Sequence, residues 1–418
     1  MLYHAYEMQR AWLSHASSMA AIGAEMLTNP ANPLGYTGLG PMAASALEVF
    51  AHATATYGKP DFGLEHIDAD GDSFPVVEST VLNRPFGDLK RFRLDGVDVV
   101  DGQATNARPK LLIAAPMSGH YATLLRGTVE RMLESNEVYI TDWADAKTVP
   151  LSEGDFDLDD YIDYLIEFLS YIEAQNSGTR PHMMAVCQPS VPAYAAAALM
   201  NASKHPARPA TLTMMGGPID TRESPTTVND MAMDRPIEWF QSSVIATVPM
   251  NHRGAGRRVY PGFMQLASFM SMNLGSHMMS HYEMFKHLNQ GDDDSAQATK
   301  DFYDEYRSVC DMTAEFYLQT VEEVFQTHSI PNGEFRHRGE LVDLTAIKDT
   351  ALLAVEGERD DISGLGQTKA ALNLATGLAK GKKRYYMAEG AGHYGIFNGS
   401  RWRGKVAPVV EGFIAQNG

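Results

Sequence analysis

From residue 111 to residue 218 the chain repeats one pattern: a short apolar run, a turn or loop, then a stretch with helical periodicity. Residues 111–115 read as a buried strand, Pro116-Met117-Ser118-Gly119-His120 as a loop, and residues 121–135 as a helix. Residues 137–141 form the next strand. Residues 159–175 then set Tyr161, Ile162, Leu165, Ile166, Phe168, Leu169 and Ile172 along one helical face. Strand 182–186, helix 190–202 and strand 210–215 follow, and the last ends in Gly216-Gly217-Pro218. A strand that is apolar on both sides needs cover on both faces, so this alternation predicts a mostly parallel sheet flanked by helices.

The pattern stops near residue 218 and resumes with strand 351–355, helix 365–378, strand 384–388 and a C-terminal helix from residue 401 onward. The residues between look helical, 301–325 included. Ahead of the sheet, residues 3–27 and 41–57 predict two helices, and short apolar runs over 75–107 predict antiparallel strands. The expected organisation is an N-terminal helical segment (1–60), a core in two parts (61–217 and 346–418) and a helical insertion (218–345).

Charge and cysteine usage narrow the function. A formal net charge of −18 over 418 residues argues against a nucleic-acid binder, which needs clustered Lys and Arg to neutralise phosphate. Two cysteines make no disulfide framework for a chain this long, which predicts a reducing compartment. The start, Met1-Leu2-Tyr3-His4-Ala5-Tyr6-Glu7, has no basic segment followed by an apolar core, so no signal peptide is expected. No run approaches the ~20 apolar residues that span a bilayer. The expectation is an intracellular, soluble protein.

The chemistry gathers at strand ends. Cys187 ends the run His182-Met183-Met184-Ala185-Val186, and Gln188-Pro189-Ser190 opens a small-residue helix. A nucleophile on a sharp strand-to-helix turn is the mark of the α/β-hydrolase fold, although Ala185 and Pro189 replace the usual glycines and Cys replaces Ser. After strand 351–355 comes Glu356-Gly357-Glu358-Arg359-Asp360-Asp361, and after strand 384–388 comes Glu389-Gly390-Ala391-Gly392-His393-Tyr394-Gly395. Nucleophile, acid and histidine in that order, each past a strand, match the hydrolase arrangement. In it His393 takes the thiol proton of Cys187, and a carboxylate holds the far ring nitrogen. The strand-Gly-x-x-Asp spacing favours Asp360 over Asp361. Backbone N–H groups of Gln188 and of the Met117–Ser118 loop are the expected oxyanion donors.

Each feature has a plainer reading. A cysteine at a strand end is often a small buried hydrophobe, a histidine in a glycine-rich loop is often structural, and an Asp-Asp pair often caps a helix. Order, spacing and strand context together favour the catalytic reading. Ser118 lies where donors rather than nucleophiles sit. His277 and His281 have ligand spacing, but Met278 stands where a zinc peptidase needs Glu, so no metal is expected. Arg257-Arg258 reads as a structural ion pair. The methionines at 264, 270, 272, 278, 279 and 284 read mainly as helix core, with a share suited to an apolar channel.

With these residues in place the chain resembles the intracellular polyhydroxyalkanoate (polyhydroxybutyrate) depolymerases over nearly its whole length. The resemblance is carried by Met1-Leu2-Tyr3 with Gln9-Arg10-Ala11, by Pro116-Met117-Ser118-Gly119-His120-Tyr121-Ala122-Thr123-Leu124-Leu125-Arg126, and by Tyr139-Ile140-Thr141-Asp142-Trp143. Val186-Cys187-Gln188-Pro189-Ser190, Met214-Met215-Gly216-Gly217-Pro218-Ile219-Asp220, Arg257-Arg258-Val259-Tyr260-Pro261-Gly262-Phe263 and Glu315-Phe316-Tyr317-Leu318-Gln319-Thr320-Val321 continue it. It implies an α/β-hydrolase with a helical lid and a Cys187-Asp360-His393 triad. It also implies ester cleavage in amorphous storage polyester at the granule surface in the cytoplasm, with no cofactor and with water or coenzyme A as acyl acceptor. A homo-oligomer is compatible with it. The rivals are a synthase-like acyltransferase, which normally shows Gly-x-Cys-x-Gly, and a granule-coating protein without chemistry.

Overall fold

The computed structural model describes residues 2–29, 31–33, 37, 39–55, 57–69, 71–100, 103–104, 108–176, 178–272, 274–290 and 293–418. Nine strands form the main sheet: β1 (His66–Ala69), β2 (Asp72–Leu82), β3 (Gly87–Leu94), β4 (Lys110–Ala114), β5 (Glu137–Trp143), β6 (His182–Val186), β7 (Thr211–Met215), β8 (Ala351–Gly357) and β9 (Lys383–Ala388). Their order is β1-β2-β3-β5-β4-β6-β7-β8-β9. The six strands from β5 to β9 are mutually parallel, and the β1–β2, β2–β3 and β3–β5 pairs are antiparallel. The strands β4 to β8 are buried at every residue, as their largely apolar character requires.

The chain steps from β4 to β5 on one side, then returns past β4 to β6 on the other. Right-handed crossovers running in opposite directions put their helices on opposite faces. Hence α3 (Arg126–Leu133) packs with the C-terminal helix Ala407–Asn417, while α4 (Leu158–Gln175) packs on α5 (Ser190–Ala202). This reversal makes a crevice at the carboxyl ends of β4 and β6, where ligands of doubly wound sheets bind. The fold is that of the α/β-hydrolases.

Local chemistry explains the helices. Asp157 caps α4 through the Asp160 N–H, and the Asp160 side chain returns the bond to the Asp157 N–H. Leu158, Tyr161, Ile162, Leu165, Phe168, Leu169 and Ile172 are buried along its inner face. Each contributes about 1.5–3 kcal/mol before the entropy of ordering is subtracted. In α5 the alanines 193 and 195–198 are all buried, so the helix lies close to the sheet.

Before the sheet, α1 (Leu2–Thr28) and α2 (Gly40–Thr54) form a hairpin. Strand β3 falls within the expected antiparallel region and β2 begins three residues ahead of it; residues 101–102 and 105–107 of that region lie outside the described residues.

Two expectations need correction. The insertion between β7 and β8 is not purely helical: a three-stranded antiparallel sheet (Ala246–Thr247, Arg258–Tyr260, Met312–Thr313) joins α6 (Thr227–Met233), α7 (Ile237–Ser243), α8 (Gly262–Met272), α9 (Leu274–Gln290), α10 (Asp293–Arg307) and α11 (Ala314–Thr320). The helical run expected over 301–325 therefore breaks after Arg307. There Cys310 N–H donates to Gly119 O at 2.7 Å, and Asp311 takes bonds from Tyr3 and Gly262. The helix expected over 365–378 shrinks to Ala370–Leu374, because the Glu356 carboxylate accepts the Gly366 and Lys369 N–H groups. Of the methionines in the insertion, Met284 is fully buried and Met279 is exposed; the side chains of Met272, Met278, His277 and His281 lie outside what is described.

Asp311 ties three parts of the chain together. Its Oδ2 accepts Tyr3 O–H at 2.5 Å, its Oδ1 accepts Gly262 N–H at 2.8 Å, and its own N–H donates to Asp145 Oδ1 at 3.1 Å. Burial, and then the Asp145 charge, push its carboxyl up to about 6, against the opposing pull of Lys147. A carboxyl with a raised pKa makes the folded chain bind more protons than the unfolded one between about pH 4 and that value, so stability falls as pH rises through the window. Asp311→Asn, uncharged throughout, is expected to flatten this decline. Urea midpoints at successive pH values check it; parallel profiles for both proteins would refute it.

Candidate active site

Cys187 follows β6 directly, with its backbone at φ +67°, a left-handed conformation that costs a non-glycine residue about 1–3 kcal/mol. The turn holds it there. Cys187 N–H donates to Met215 O at 2.7 Å, and Ser190 N–H donates to Cys187 O at 3.0 Å, starting α5. The neighbouring strand β7 ends in two glycines that fit around this turn. A Cβ on Gly217 would lie 2.1 Å from Ser190 Oγ, and one on Gly216 would lie 3.0 Å from His393 Cε1 and 3.2 Å from Asp360 Oδ2. Thr368 pins the second glycine, accepting Gly217 N–H at 2.7 Å and donating to Gly217 O at 2.9 Å.

Asp360 lies in the loop after β8, with its side chain fully buried. Its Oδ1 accepts the N–H groups of Ile362 at 2.9 Å and Ser363 at 2.8 Å, which orients Oδ2 toward His393 Nδ1 at 2.7 Å. Asp361 is exposed. The geometry therefore separates the two aspartates that spacing alone ranks. His393 follows β9, is buried, and sits edge-on to Tyr394 and Phe397.

Burial alone lowers the His393 pKa. The charges of Cys187 and Asp360, with a hydrogen bond to each, overcome that and hold it well above its ordinary value. With Nδ1–H donating to the carboxylate, Nε2 is the nitrogen left for sulfur.

The loop after β4 faces this turn. Met117 N–H, an expected oxyanion donor, donates instead to Gln188 Oε1 at 3.3 Å. Ser118 is half-buried in the same loop, and Gly119 O accepts the Cys310 N–H from the insertion. His120 is buried, in contact with Tyr306 O at 3.0 Å, and burial holds its pKa down at about 4. It is a neutral structural contact between loop and insertion. Cys187, Asp360, His393, Gln188, Met117 and Ser118 thus all belong to loops at the carboxyl edge of the sheet. The reading of the sequence missed the roles of Gly216, Gly217, Thr368 and the Gln188 side chain. The Gly-Gly pair was a visible signal of close approach; the other two gave none.

The two cysteines sit in opposite environments. Cys187 is partly exposed next to His393, whereas Cys310 is fully buried, and burial raises its thiol pKa well above the ordinary value. A thiol reagent such as 5,5′-dithiobis(2-nitrobenzoate) is expected to titrate one thiol in the native chain and both in denaturant, and Cys187→Ala is expected to abolish the native reaction. Native reaction of both thiols would contradict this.

Comparison with known proteins gives a consistent picture. No curated protein sequence matches the chain. Among solved structures, it is similar to a putative lipase from Acinetobacter baumannii AYE (TM-score 0.44, 11% identity, covering 82% of this chain and 93% of that one). It is also similar to a monoacylglycerol lipase from Paleococcus ferrophilus (TM-score 0.45, 11% identity, 74% and 96% covered). The strand order and the turn at Cys187, not these distant likenesses, establish the fold. Residues 216–418, which carry Asp360 and His393, match the family model described as PHB de-polymerase C-terminus. That segment is similar to the C-terminal part of PHB depolymerases, and the chain is a carboxylic ester hydrolase.

Proposed function

We propose that the chain cleaves ester bonds of amorphous poly(3-hydroxybutyrate) and related polyhydroxyalkanoates through Cys187, His393 and Asp360. The observation that carries this reading is the buried His393, whose Nδ1 lies 2.7 Å from Asp360 Oδ2 and whose ring stands beside Cys187 at the switch point of the sheet. The sulfur of Cys187 adds to the ester carbonyl carbon, and its proton passes to His393 Nε2. Collapse breaks the C–O bond, the imidazolium returns the proton to the departing alcohol, and a thioester remains. Water then gives a proton to His393, its oxygen adds to the thioester carbonyl, and cleavage of the C–S bond releases a 3-hydroxyacid or oligomer. Asp360 holds the tautomer and stabilises the imidazolium throughout. No cofactor takes part in this cycle, although coenzyme A can replace water as the acceptor. The insertion between β7 and β8 acts as a lid, held to the loop after β4 through Cys310 and Tyr306.

The place of action in this reading is the surface of an intracellular polyester granule. One face of α1 supports it. Met8, Trp12, Met19, Ile22 and Met26 are each more than half exposed. At 3.6 residues per turn they fall within an arc of about 80°, opposite the buried Tyr3, Ser17, Ala20 and Ala24. The helix carries Glu7, Arg10 and Glu25 and no lysine, so this face suits an uncharged polyester better than an anionic bilayer, which basic amphipathic helices favour. Among the described residues no helix is long and apolar enough to cross a membrane.

Two experiments test the reading. Acid release from native amorphous granules, with and without coenzyme A, is expected to vanish in Cys187→Ala; equal release from both proteins would refute the nucleophile, and dependence on coenzyme A would make the reaction a thiolysis. Trp12→Asp combined with Met19→Asp is expected to reduce co-sedimentation with granules by about tenfold or more while leaving hydrolysis of a soluble 3-hydroxybutyrate trimer unchanged. Undiminished co-sedimentation would rule α1 out as the docking face.

A further inference from the structure

The Gln188 side chain turns toward the loop after β4. Its Oε1 accepts the Met117 N–H at 3.3 Å, and its Nε2 is buried without a partner among the described residues. The amide has only one sensible orientation, since turning it end for end would set two donors face to face. The Met117 N–H is therefore spent on a side chain, and an unengaged donor stands near it, one residue from the proposed nucleophile. Buried donors without an acceptor are rare in folded chains. A reacting ester supplies the acceptor that this one lacks.

We propose that the Nε2 of Gln188, together with the Gln188 backbone N–H, holds the oxyanion formed when Cys187 attacks, while Oε1 anchors the Met117 loop. The inference rests on the Cys187 reading above and adds a side-chain donor to it. One amide then has two tasks: its oxygen keeps the loop in place, and its nitrogen faces the charge that develops on the carbonyl oxygen. That bond strengthens as negative charge builds up, so its loss falls on kcat more than on KM. Because Oε1 already occupies the Met117 N–H, the donor pair belongs to a single residue and moves with the nucleophile turn.

Gln188→Met keeps the length of the side chain and removes both hydrogen bonds. Gln188→Asn, too short to span to Met117, is a second variant should the first fail to fold. The substrates are a soluble 3-hydroxybutyrate trimer and the same trimer with sulfur in place of the scissile carbonyl oxygen, since sulfur is a poor hydrogen-bond acceptor. The expected result is a loss of about 10²–10³-fold in kcat on the oxygen ester. The loss on the thiono ester is expected to be much smaller, and alkylation of Cys187 by iodoacetamide, which forms no oxyanion, to keep its wild-type rate. Equal losses on both esters, or a parallel loss of alkylation, would make Gln188 a positioning residue only and overturn the proposal. Unchanged or increased turnover would also overturn it, leaving the side chain as a displaceable stopper on the Met117 N–H. Trimer hydrolysis that survives Cys187→Ala is a separate outcome, and it would sink the nucleophile reading instead.

Discussion

Everything at the carboxyl edge of the sheet depends on the left-handed backbone of Cys187. A residue in that conformation lifts its side chain clear of the strand and starts a helix at once, so sulfur stands at the crevice opened by the reversal of strand order. The strain is sustained by the Met215 carbonyl, by the helix that Ser190 begins, and by the bare backbone of Gly216 and Gly217. With any larger residue at 217, Ser190 and β7 would be forced apart. Gly216 also leaves room for His393 and Asp360, so the glycine pair sets both Cys187 and the two residues beside it.

The charges of the site follow from that packing. His393 is buried, which by itself favours the neutral ring. Asp360 and Cys187 beside it push its pKa the other way, and Asp360 is itself fixed by two backbone N–H groups. Cys310 shows the contrast. It is equally a thiol at the end of a loop, but burial beside Asp145 and Asp311 favours its protonated form. Environment, not residue type, separates the two sulfurs.

The insertion is tied to the loop after β4 by direct bonds. Cys310 N–H meets Gly119 O, and His120 meets Tyr306 O, so the segment after α10 and the loop after β4 share their geometry. Asp311, the next residue, carries the link on to Tyr3 in α1 and to Gly262 at the start of α8. The N-terminal hairpin and the insertion thus meet at one buried carboxylate. The apolar outer face of α1 is joined to the loop beside Cys187 through a short series of hydrogen bonds.

Much of this was legible in the residues alone. The largely apolar runs at 111–115, 182–186, 210–215 and 351–355 announced buried parallel strands, and all four lie there within a residue or two. Cys187, Asp360 and His393 were marked by standing just past such runs, in hydrolase order. Periodicity reports which side of an element is buried, and that is a local property of the chain. It carries nothing about hydrogen bonds between residues far apart in sequence. The break after Arg307, made by bonds to Gly119 and Tyr3, was therefore hidden, as was the loss of most of helix 365–378 to the Glu356 carboxylate. For the same reason only the tertiary structure separated Asp360 from its exposed neighbour and set the Gln188 amide on Met117. The buried strands, their succession along the chain and the chemical groups at their ends were settled by local burial patterns; their order in the sheet, and which oxygen faces which nitrogen, were decided by the packing that brings those ends together.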